Sequence, residues 1–480
     1  MSIRNVSASR ISPRKLSNRV NIPTSLRWEK NKAWPTLTEP SSSEEKLVGL
    51  YAVFPGDGTG TGGNWFAVNF SSAYTVDFGD GTSVNTNSST ATYKSYDFND
   101  SDLYDATVTF TDTGDLVTRN SHGYVDGDTV SFYRISSTTG ISEGQTYYVI
   151  SATTNTFQIS TTFGGSAVAL TTDGSASLLP YKIATVTITP QSGQNLTNVN
   201  LSTKHNETGL TNGYGTGWLD IALSAPNATN ITISSSSLIK HSRLERFNLI
   251  AAGNFTSCLN WFHSCYRLRE VIIPFDATSA VTNTSYMFNS CNSLVSVPLF
   301  DTSAVTNMSS MFSSCNSLLS VPLFDTSLVT SMSSMFSFCY SLVSVPLFDT
   351  SLVTSMSSMF SSCNSLVSVP LFDTSLVTNT RSMFNACISL NSIPAFDFSS
   401  VTSGNFNFMF NVANSISRIE ATGFNYTFSV SSCNLSSTAL DEIYTNLPTV
   451  VGQTITVSGN YGVNGDDPTI ATAKGWTVSG

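Results

Sequence analysis

The chain has 480 residues, of which only 11% are charged, and its formal net charge is −10. A chain of this length is expected to form three or more domains, since a domain usually spans about 100–200 residues. No stretch approaches the roughly 18 consecutive apolar residues of a membrane-spanning helix, so membrane insertion is not expected. The first 32 residues hold eight basic residues and one acidic residue, a balance of +7, which leaves −17 for the remainder. So acidic a body is not expected to bind nucleic acid.

Residues 1–45 are predicted to form a basic, extended arm, because four prolines interrupt any helix there. Residues 1–20 carry charges but no apolar segment, so a secretory signal is not expected. The arm is either a disordered tail or a segment that becomes ordered on an acidic partner. Two tryptophans in so polar a stretch favour the second alternative. The predicted anchoring residues are Arg14, Lys15, Arg19, Trp28 and Trp34.

Residues 46–105 and 181–215 together are predicted to form a β-sandwich. Alternating β-forming residues at 74–78 lead into Gly79-Asp80-Gly81, which is a hairpin signal. The stretch resembles the V-D-W-G-D-G-T signature of PKD-like immunoglobulin-type sandwiches, with Phe78 in place of Trp. The resemblance implies two antiparallel sheets packed face to face.

Residues 106–180 are predicted to form a small all-β module inserted into this sandwich. The segment consists of short runs of β-forming residues separated by Gly and Asn, and a further strand pattern at 184–188 completes the sandwich after it. From His122 to Ile159 it resembles the H-G-x-x-x-G-D-x-V…Y-Y-V…F-x-I modules of phage tail and fibre proteins. That resemblance implies a location on a phage particle.

Residues 261–417 contain a tandem repeat with a period of 24 residues. A Met-Phe pair marks each repeat, at Met287, Met311, Met335, Met359 and Met383. A fixed period in this range is typical of a solenoid, in which no coil can bury its apolar face alone. One face of each coil is predicted to be a strand with Leu294, Val297 and Leu299 inward. An irregular return is predicted to bury Val305, Met308, Met311, Phe312 and Cys315.

The repeat layout, C-x-x-L-x-x-V-P-L-F-D-T-S-x-V-T-x-M-x-x-M-F-x-x-C, resembles the BspA-like leucine-rich repeat of surface proteins. The resemblance implies a binding surface without catalytic chemistry. Divergent coils are expected at 216–260, and residues 418–480 are predicted to form an α/β cap with a helix near 437–447. The predicted fold is therefore mainly β: an extended arm, a PKD-like sandwich with a small all-β insertion, and a capped leucine-rich-repeat solenoid.

No pattern of catalytic or metal-binding residues is found, so the chain is predicted not to be an enzyme and to need no cofactor or metal. The four histidines lack the spacing of metal ligands, and Asp77 with Asp80 offers too few oxygens for Ca²⁺. A periodic aspartate, typified by Asp301, is predicted to cap the Thr-Ser turn that follows it. Glycoside hydrolysis would instead need one pair of carboxylates in different environments.

The repeat also contains a column of cysteines, one in each of six coils: Cys265, Cys291, Cys315, Cys339, Cys363 and Cys387. These positions are predicted to be small buried apolar sites, because the coil that lacks the cysteine has Ala413 instead. A disulfide between neighbouring coils is not favoured, since parallel stacking points the side chains the same way.

Ligand recognition by the solenoid is expected to use what differs between coils. Asn292, Asn316 and Asn364 follow the cysteine in three coils, whereas Tyr340 takes that position in a fourth, and Phe338 likewise replaces a serine. An exposed aromatic pair on a Ser/Asn-rich face is a candidate stacking site for a sugar or a protein. The alternative is that Phe338 and Tyr340 only pack between neighbouring coils.

The predicted function is that of a bacteriophage virion structural protein, a fibre-like or decoration component on the tail or capsid surface. Its basic arm is expected to bind other virion proteins, and its solenoid to bind a host cell-surface glycan or protein. A homo-oligomer is one alternative for its assembly state. A bacterial surface adhesin is the first alternative function, and a tail-associated glycan hydrolase is the second. The absence of a secretory signal pattern in residues 1–20 favours release by cell lysis over export.

Overall fold

A computed structural model describes residues 30–55, 64–203, 205, 217–234 and 241–480. The protein is mainly β, with 26% of residues in strands against 4% in helices, which confirms the predicted fold class. Among the described residues, no helix combines the length and the hydrophobicity that crossing a membrane requires. Four of the predicted anchoring residues lie outside the described ranges: Arg14, Lys15, Arg19 and Trp28.

Two sheets form the β-sandwich, and both contain strands from distant parts of the chain. The strands of the first sheet are β1 (Lys46–Val53), β3 (Tyr74–Asp77), β4 (Ser83–Thr86), β13 (Lys182–Pro190), β15 (Trp218–Ala225), β17 (Arg246–Ala252) and β18 (Glu270–Ile272). Their order is β18-β17-β15-β1-β13-β3-β4. The second sheet consists of β2 (Trp65–Phe70), β5 (Ala91–Ser95), β14 (Asn198–Asn200) and β16 (Asn230–Thr232), in the order β16-β14-β2-β5. The aromatic core between the sheets includes Tyr51, Phe66 and Trp218.

The segment between β5 and β13 forms a separate seven-stranded antiparallel sheet. Its strands are β6 (Thr107–Thr111), β7 (Leu116–Thr118), β8 (Thr129–Ser131), β9 (Tyr133–Ser136), β10 (Thr146–Ile150), β11 (Thr156–Ser160) and β12 (Gly174–Ser177). Their order is β8-β10-β11-β7-β6-β12-β9. The module shares a core with Val48, Leu50 and Ala52 of β1, whose other face packs inside the sandwich. Strand β1 is therefore covered on both sides, which explains its nearly continuous apolar sequence.

Residues 30–45, here called the strap, pack against the body of the protein. The buried side chain of Trp34 donates from Nε1 to the Tyr181 hydroxyl at 3.1 Å. Further along, Glu39 forms an ion pair of 2.6 Å with Arg246 of β17. Trp34, which was predicted as an anchoring residue, is thus packed against its own chain. Its indole has a large apolar surface to bury and a donor to satisfy, and its own chain provides for both.

Strand β15 joins the sandwich to the solenoid. It pairs antiparallel with β1 on one side and parallel with β17 on the other, and β17 pairs parallel with β18. The direction of pairing therefore changes from the antiparallel pattern of a sandwich to the parallel pattern of stacked coils within one sheet. Because the ladder is continuous, the first coils need no separate cap at this end.

The regular coils stack along a β-solenoid of about 10 turns. All five side chains predicted to line the return path are fully buried: Val305, Met308, Met311, Phe312 and Cys315. The phenylalanine rings stack from coil to coil, as in Phe312 on Phe336, where the centroids lie 5.7 Å apart and the planes differ by 4°. Successive coils are joined by one parallel bridge each, along the column Ser257, Asn283, Asn307, Ser331, Ser355 and Asn379. Further backbone hydrogen bonds connect the coils, such as the one from the N–H of Phe312 to the Met335 carbonyl at 2.9 Å.

The predicted leucine-rich-repeat strand is largely absent from the regular coils. Leu299 was expected to point inward, but its side chain is 36% exposed, and the next residue, Phe300, is buried instead. At the equivalent Pro370 the N–H of Phe372 donates to the proline carbonyl at 3.0 Å, which closes a three-residue turn. A turn of this kind breaks the two-residue alternation of a strand. The residue that follows the proline therefore points outward.

The C-terminal residues cover the last coil. Short strands β19 (Ser392–Ile393) and β20 (Arg418–Ile419) precede β21 (Phe428–Ser429), helix α1 (Ser437–Asn446), β22 (Gln453–Thr456), helix α2 (Thr469–Thr472) and β23 (Trp476–Ser479). The hydroxyl of Ser436 accepts a hydrogen bond from the N–H of Ala439 and so caps α1. The Trp476 ring packs edge-on against Phe428 and closes the apolar core. This arrangement agrees with the predicted α/β cap.

Two leucines of one coil provide a test of which side chains hold the solenoid together. Leu342 is fully buried and Leu347 is 60% exposed. Replacing Leu342 by alanine is expected to lower the free energy of unfolding by about 2–5 kcal/mol, because it leaves a cavity. Leu347→Ala should change it by less than about 0.5 kcal/mol. Denaturant unfolding of both variants measures the difference, and equal losses would contradict the inward and outward assignments.

Candidate functional site

One surface of the solenoid is built from tight turns with an uncommon backbone conformation. In each coil two residues four apart have φ between 55° and 63°. The first register holds Tyr286, Ser310, Ser334, Ser358, Ser382 and Phe408, and the second holds Ser290, Ser314, Phe338, Ser362, Ala386 and Val412. This surface, here called the turn face, comprises the segments 285–292, 309–316, 333–340, 357–364, 381–388 and 407–414. The two left-handed residues of each coil flank the Met-Phe pair, whose side chains are buried.

Backbone hydrogen bonds between coils hold the turn face in place. The N–H of Ser314 donates to the Ser337 carbonyl, and the N–H of Phe338 donates to the Ser361 carbonyl, both at 2.7 Å. The same bond recurs from Ser362 to Asn385. Each turn is thus fixed to the next, so an exposed side chain on this face projects from a rigid support.

A ladder of asparagine amides adds a second connection between coils. The Nδ2 group of Asn316 donates to the carbonyl of Ser314 in its own coil at 3.2 Å and to that of Phe338 in the next coil at 3.1 Å. Asn292 and Asn364 bridge their coils in the same way. These amides satisfy carbonyls that the left-handed residues leave without a helix or sheet partner.

Phe338 and Tyr340, the predicted binding pair, interrupt this pattern. Their side chains are 44% and 41% exposed, and their rings meet edge to face with centroids 6.3 Å apart. Tyr340 occupies the position of a bridging asparagine, and Phe338 places a bulky side chain at φ 61°, which is unfavourable by about 1 kcal/mol or more. These two departures from the local pattern, on an exposed surface, make the pair the candidate functional site.

A second exposed pair, Arg381 with Phe408, lies on the same face and is not among the residues predicted from the sequence. Arg381 is the sole basic residue between Arg269 and Arg418, and it stands where other coils have Ser333 or Ser357. Its guanidinium lies 5.8 Å from the centroid of the Phe408 ring, which is 59% exposed. The signal was present in the sequence, since a lone cation at a serine register is a clear departure from the repeat.

Asp276, the first of the six periodic aspartates, lies in a short 3₁₀ helix, Phe275–Thr278, and the other five have the turn-capping role that was predicted for them. Each accepts a hydrogen bond of 2.9–3.1 Å from the backbone N–H two residues later, at Asp301, Asp325, Asp349, Asp373 and Asp397. At Asp373 the hydroxyl of Ser375 also donates, and this bond and the backbone bond lower the pKa of the carboxyl group. The five carboxylates therefore share one turn-capping role.

The cysteine column is buried and hydrogen-bonded. Each thiol donates to the carbonyl of a phenylalanine in the preceding coil at 3.0–3.1 Å, from Cys291, Cys315, Cys339, Cys363 and Cys387. Burial raises the pKa of the Cys387 thiol to about 12, so these groups are poor nucleophiles near neutral pH. In the described part of the chain, no group of three or more His, Cys, Asp or Glu side chains is arranged to hold a metal ion.

A family model described as "Mycoplasma protein of unknown function, DUF285" matches residues 256–368 and 316–424. These matches cover the regular coils, about a third of the chain, and they are compatible with BspA-like repeats. No curated protein matches the chain.

Among solved structures, the chain is similar to a crystal structure of a TLR13–ssRNA13 complex, with 10% identity and a TM-score of 0.17. The similarity covers 53% of this chain and 51% of that one, so the chain spans about half the length of that protein. A likeness this weak carries no conclusion about the ligand. The C-terminal part of the chain is a repeat β-solenoid.

The double change Phe338→Ser, Tyr340→Asn restores the residues of neighbouring coils and tests whether the pair is structural. We expect the variant to be as stable as the natural protein or more stable by roughly 0.5–1.5 kcal/mol, because the new amide regains its hydrogen bonds. Phe348→Ser, at a buried site of the same coil, should instead destabilise strongly. Thermal and denaturant unfolding provide the comparison. A marked loss in the double variant would show that the pair serves packing between coils.

Proposed function

We propose that the protein is a recognition component of a bacteriophage particle, fibre-like or decorating, whose solenoid binds a ligand on the host surface. The observation that carries the binding proposal is the exposed pair Phe338 and Tyr340, set on a rigid face against the local pattern. The phage location rests on the resemblance of residues 106–180 to tail and fibre modules. The family match to residues 256–368 and 316–424 supports a repeat solenoid, and it gives no information about a ligand.

The geometry of the pair suits stacking recognition. Two rings at an interplanar angle of 81° offer a face and an edge in adjacent positions. Aromatic rings bind the C–H faces of sugars and the apolar parts of side chains, and they have few rotatable bonds to order. Because the turns beneath are hydrogen-bonded from coil to coil, little further ordering is needed on binding.

The N-terminal segment is proposed to attach the protein to its particle. The strap holds residues 30–45 against the body, so the proposed anchor is shortened to residues 1–29. This segment contains six basic residues and one acidic residue, and an acidic partner surface would complement it. Within this segment, the proposed contacts with the particle are made by Arg14, Lys15, Arg19 and Trp28. Trp34 is not among them, because it packs against the body of the protein.

The two alternative functions are a bacterial adhesin and a glycan hydrolase, and the column of periodic aspartates argues against the hydrolase. A bacterial adhesin would use the same binding face on a different carrier, so the carrier alone distinguishes it. A glycan hydrolase would need an acid and a base with unlike pKa values, whereas the periodic carboxylates share one hydrogen-bonding role. We therefore propose binding without bond cleavage.

Binding to cells tests the recognition proposal. The Phe338→Ser, Tyr340→Asn variant should lose most of its adsorption to cells that bind the natural protein, because both stacking surfaces are removed. Leu352→Ala is the control, since that side chain is 44% exposed at the aspartate turn of the same region. Flow cytometry with labelled full-length proteins measures adsorption. Unchanged adsorption of the double variant would remove the pair from the proposal.

Deletion of residues 1–29 tests the anchor. We expect the shortened chain to keep its melting temperature, because the strap and its contacts are retained, and to be missing from purified particles. Mass spectrometry of particles produced with each form measures incorporation, and the full-length chain is the control. Normal incorporation of the shortened chain would place the attachment in the sandwich or the inserted module.

A further inference from the structure

Arg381 is the sole basic side chain of the regular coils, between Arg269 and Arg418. The acidic residues of residues 277–417 all belong to the aspartate column, where they cap turns. None of the ion pairs among the described residues includes Arg381. Its side chain is exposed, and its guanidinium group lies over the ring of Phe408. A guanidinium stacked on a ring keeps its edge N–H groups available for an anionic group.

The two exposed pairs lie on the same surface, a short distance apart along the solenoid. Phe338 bonds to Ser361 in the next coil, and Ser362 bonds to Asn385 in the coil that contains Arg381. Arg381 is therefore two coils from Phe338, or about 10 Å at the usual spacing of roughly 4.8 Å between paired strands. Phe408 belongs to the coil after that.

The coil between the pairs has only small polar side chains on this face. Ser357, Ser358 and Ser362 are half-buried there, and Asn364 bridges to the following coil. The surface between the two exposed pairs is therefore lined by small side chains with hydroxyl and amide groups. Such a surface provides hydrogen bonds but no apolar pocket of the kind that anchors a peptide side chain.

We infer that the turn face binds an anionic glycan along the solenoid axis, with one sugar ring stacked on Phe338 and Tyr340 and a carboxylate or phosphate group bound by Arg381. This inference rests on the proposed recognition function and adds the class of its ligand. Sugar hydroxyls match the serine and asparagine groups between the pairs. The planar fork of arginine suits a carboxylate or phosphate oxygen pair. A neutral glycan or an acidic peptide would lack one of these matches.

The test uses the full-length chain on a glycan array in which each carboxylate- or phosphate-bearing oligosaccharide has its neutral counterpart. The variant Arg381→Ser introduces the residue of neighbouring coils and should preserve the fold, which its melting temperature will show. We expect about tenfold weaker binding to the anionic glycans and no change for the neutral ones. Arg381→Lys should recover part of the affinity, and added salt should weaken the natural protein more than Arg381→Ser.

Phe408→Ser retains the arginine but removes its support, and it should weaken binding of the same anionic glycans. The inference is overturned if Arg381→Ser binds anionic glycans as the natural protein does, or if neutral glycans bind equally well. It is also overturned if no glycan binds while the Phe338→Ser, Tyr340→Asn variant still loses cell adsorption, since the ligand is then a protein. A different result would contradict the recognition proposal itself, namely normal adsorption of the Phe338→Ser, Tyr340→Asn variant to cells.

Discussion

The structure depends on the stacking of identical coils. Phenylalanine rings lie nearly parallel through the regular solenoid, with centroids 5.5–5.8 Å apart from Phe288 to Phe384. No coil could bury its Met-Phe pair alone, so each coil is stable only where a neighbour covers it. Both ends of the solenoid must consequently be covered, and a different structure covers each end. The sandwich extends its own sheet into the first coils, whereas the cap covers the last coil with Trp476.

This stacking also restricts where the protein can vary. A substitution at an inward position disturbs two neighbours, and a substitution at a bridging asparagine removes a connection between coils. The turn face therefore offers the few positions where a coil can differ from the repeat without loss of the core. Phe338, Tyr340, Arg381 and Phe408 all lie there, which is why the departures from periodicity and the candidate binding groups coincide.

The repeat made much of the solenoid predictable, because a buried position that recurs every 24 residues has the same sequence signal each time. The inward set around Phe312 follows from that signal. Leu299 was placed wrongly, since an apolar residue after proline looks like a strand position and the three-residue turn leaves no mark in composition. The packing of Trp34 depends on distant contacts that local sequence does not reveal. The left-handed registers were also missed, because serine gives little conformational information and the glycine that usually signals such a turn is absent.

The buried cysteines have a consequence for unfolding in oxidising surroundings. Each thiol is protected from oxidants only while its coil remains stacked on the coil before it. When several coils part, neighbouring thiols become reactive at the same time, and in oxidising surroundings they can form disulfides that the folded solenoid does not contain. Such disulfides would prevent the coils from stacking again. Under oxidising conditions the lifetime of the folded protein would then depend on how rarely its coils open, in addition to its equilibrium stability.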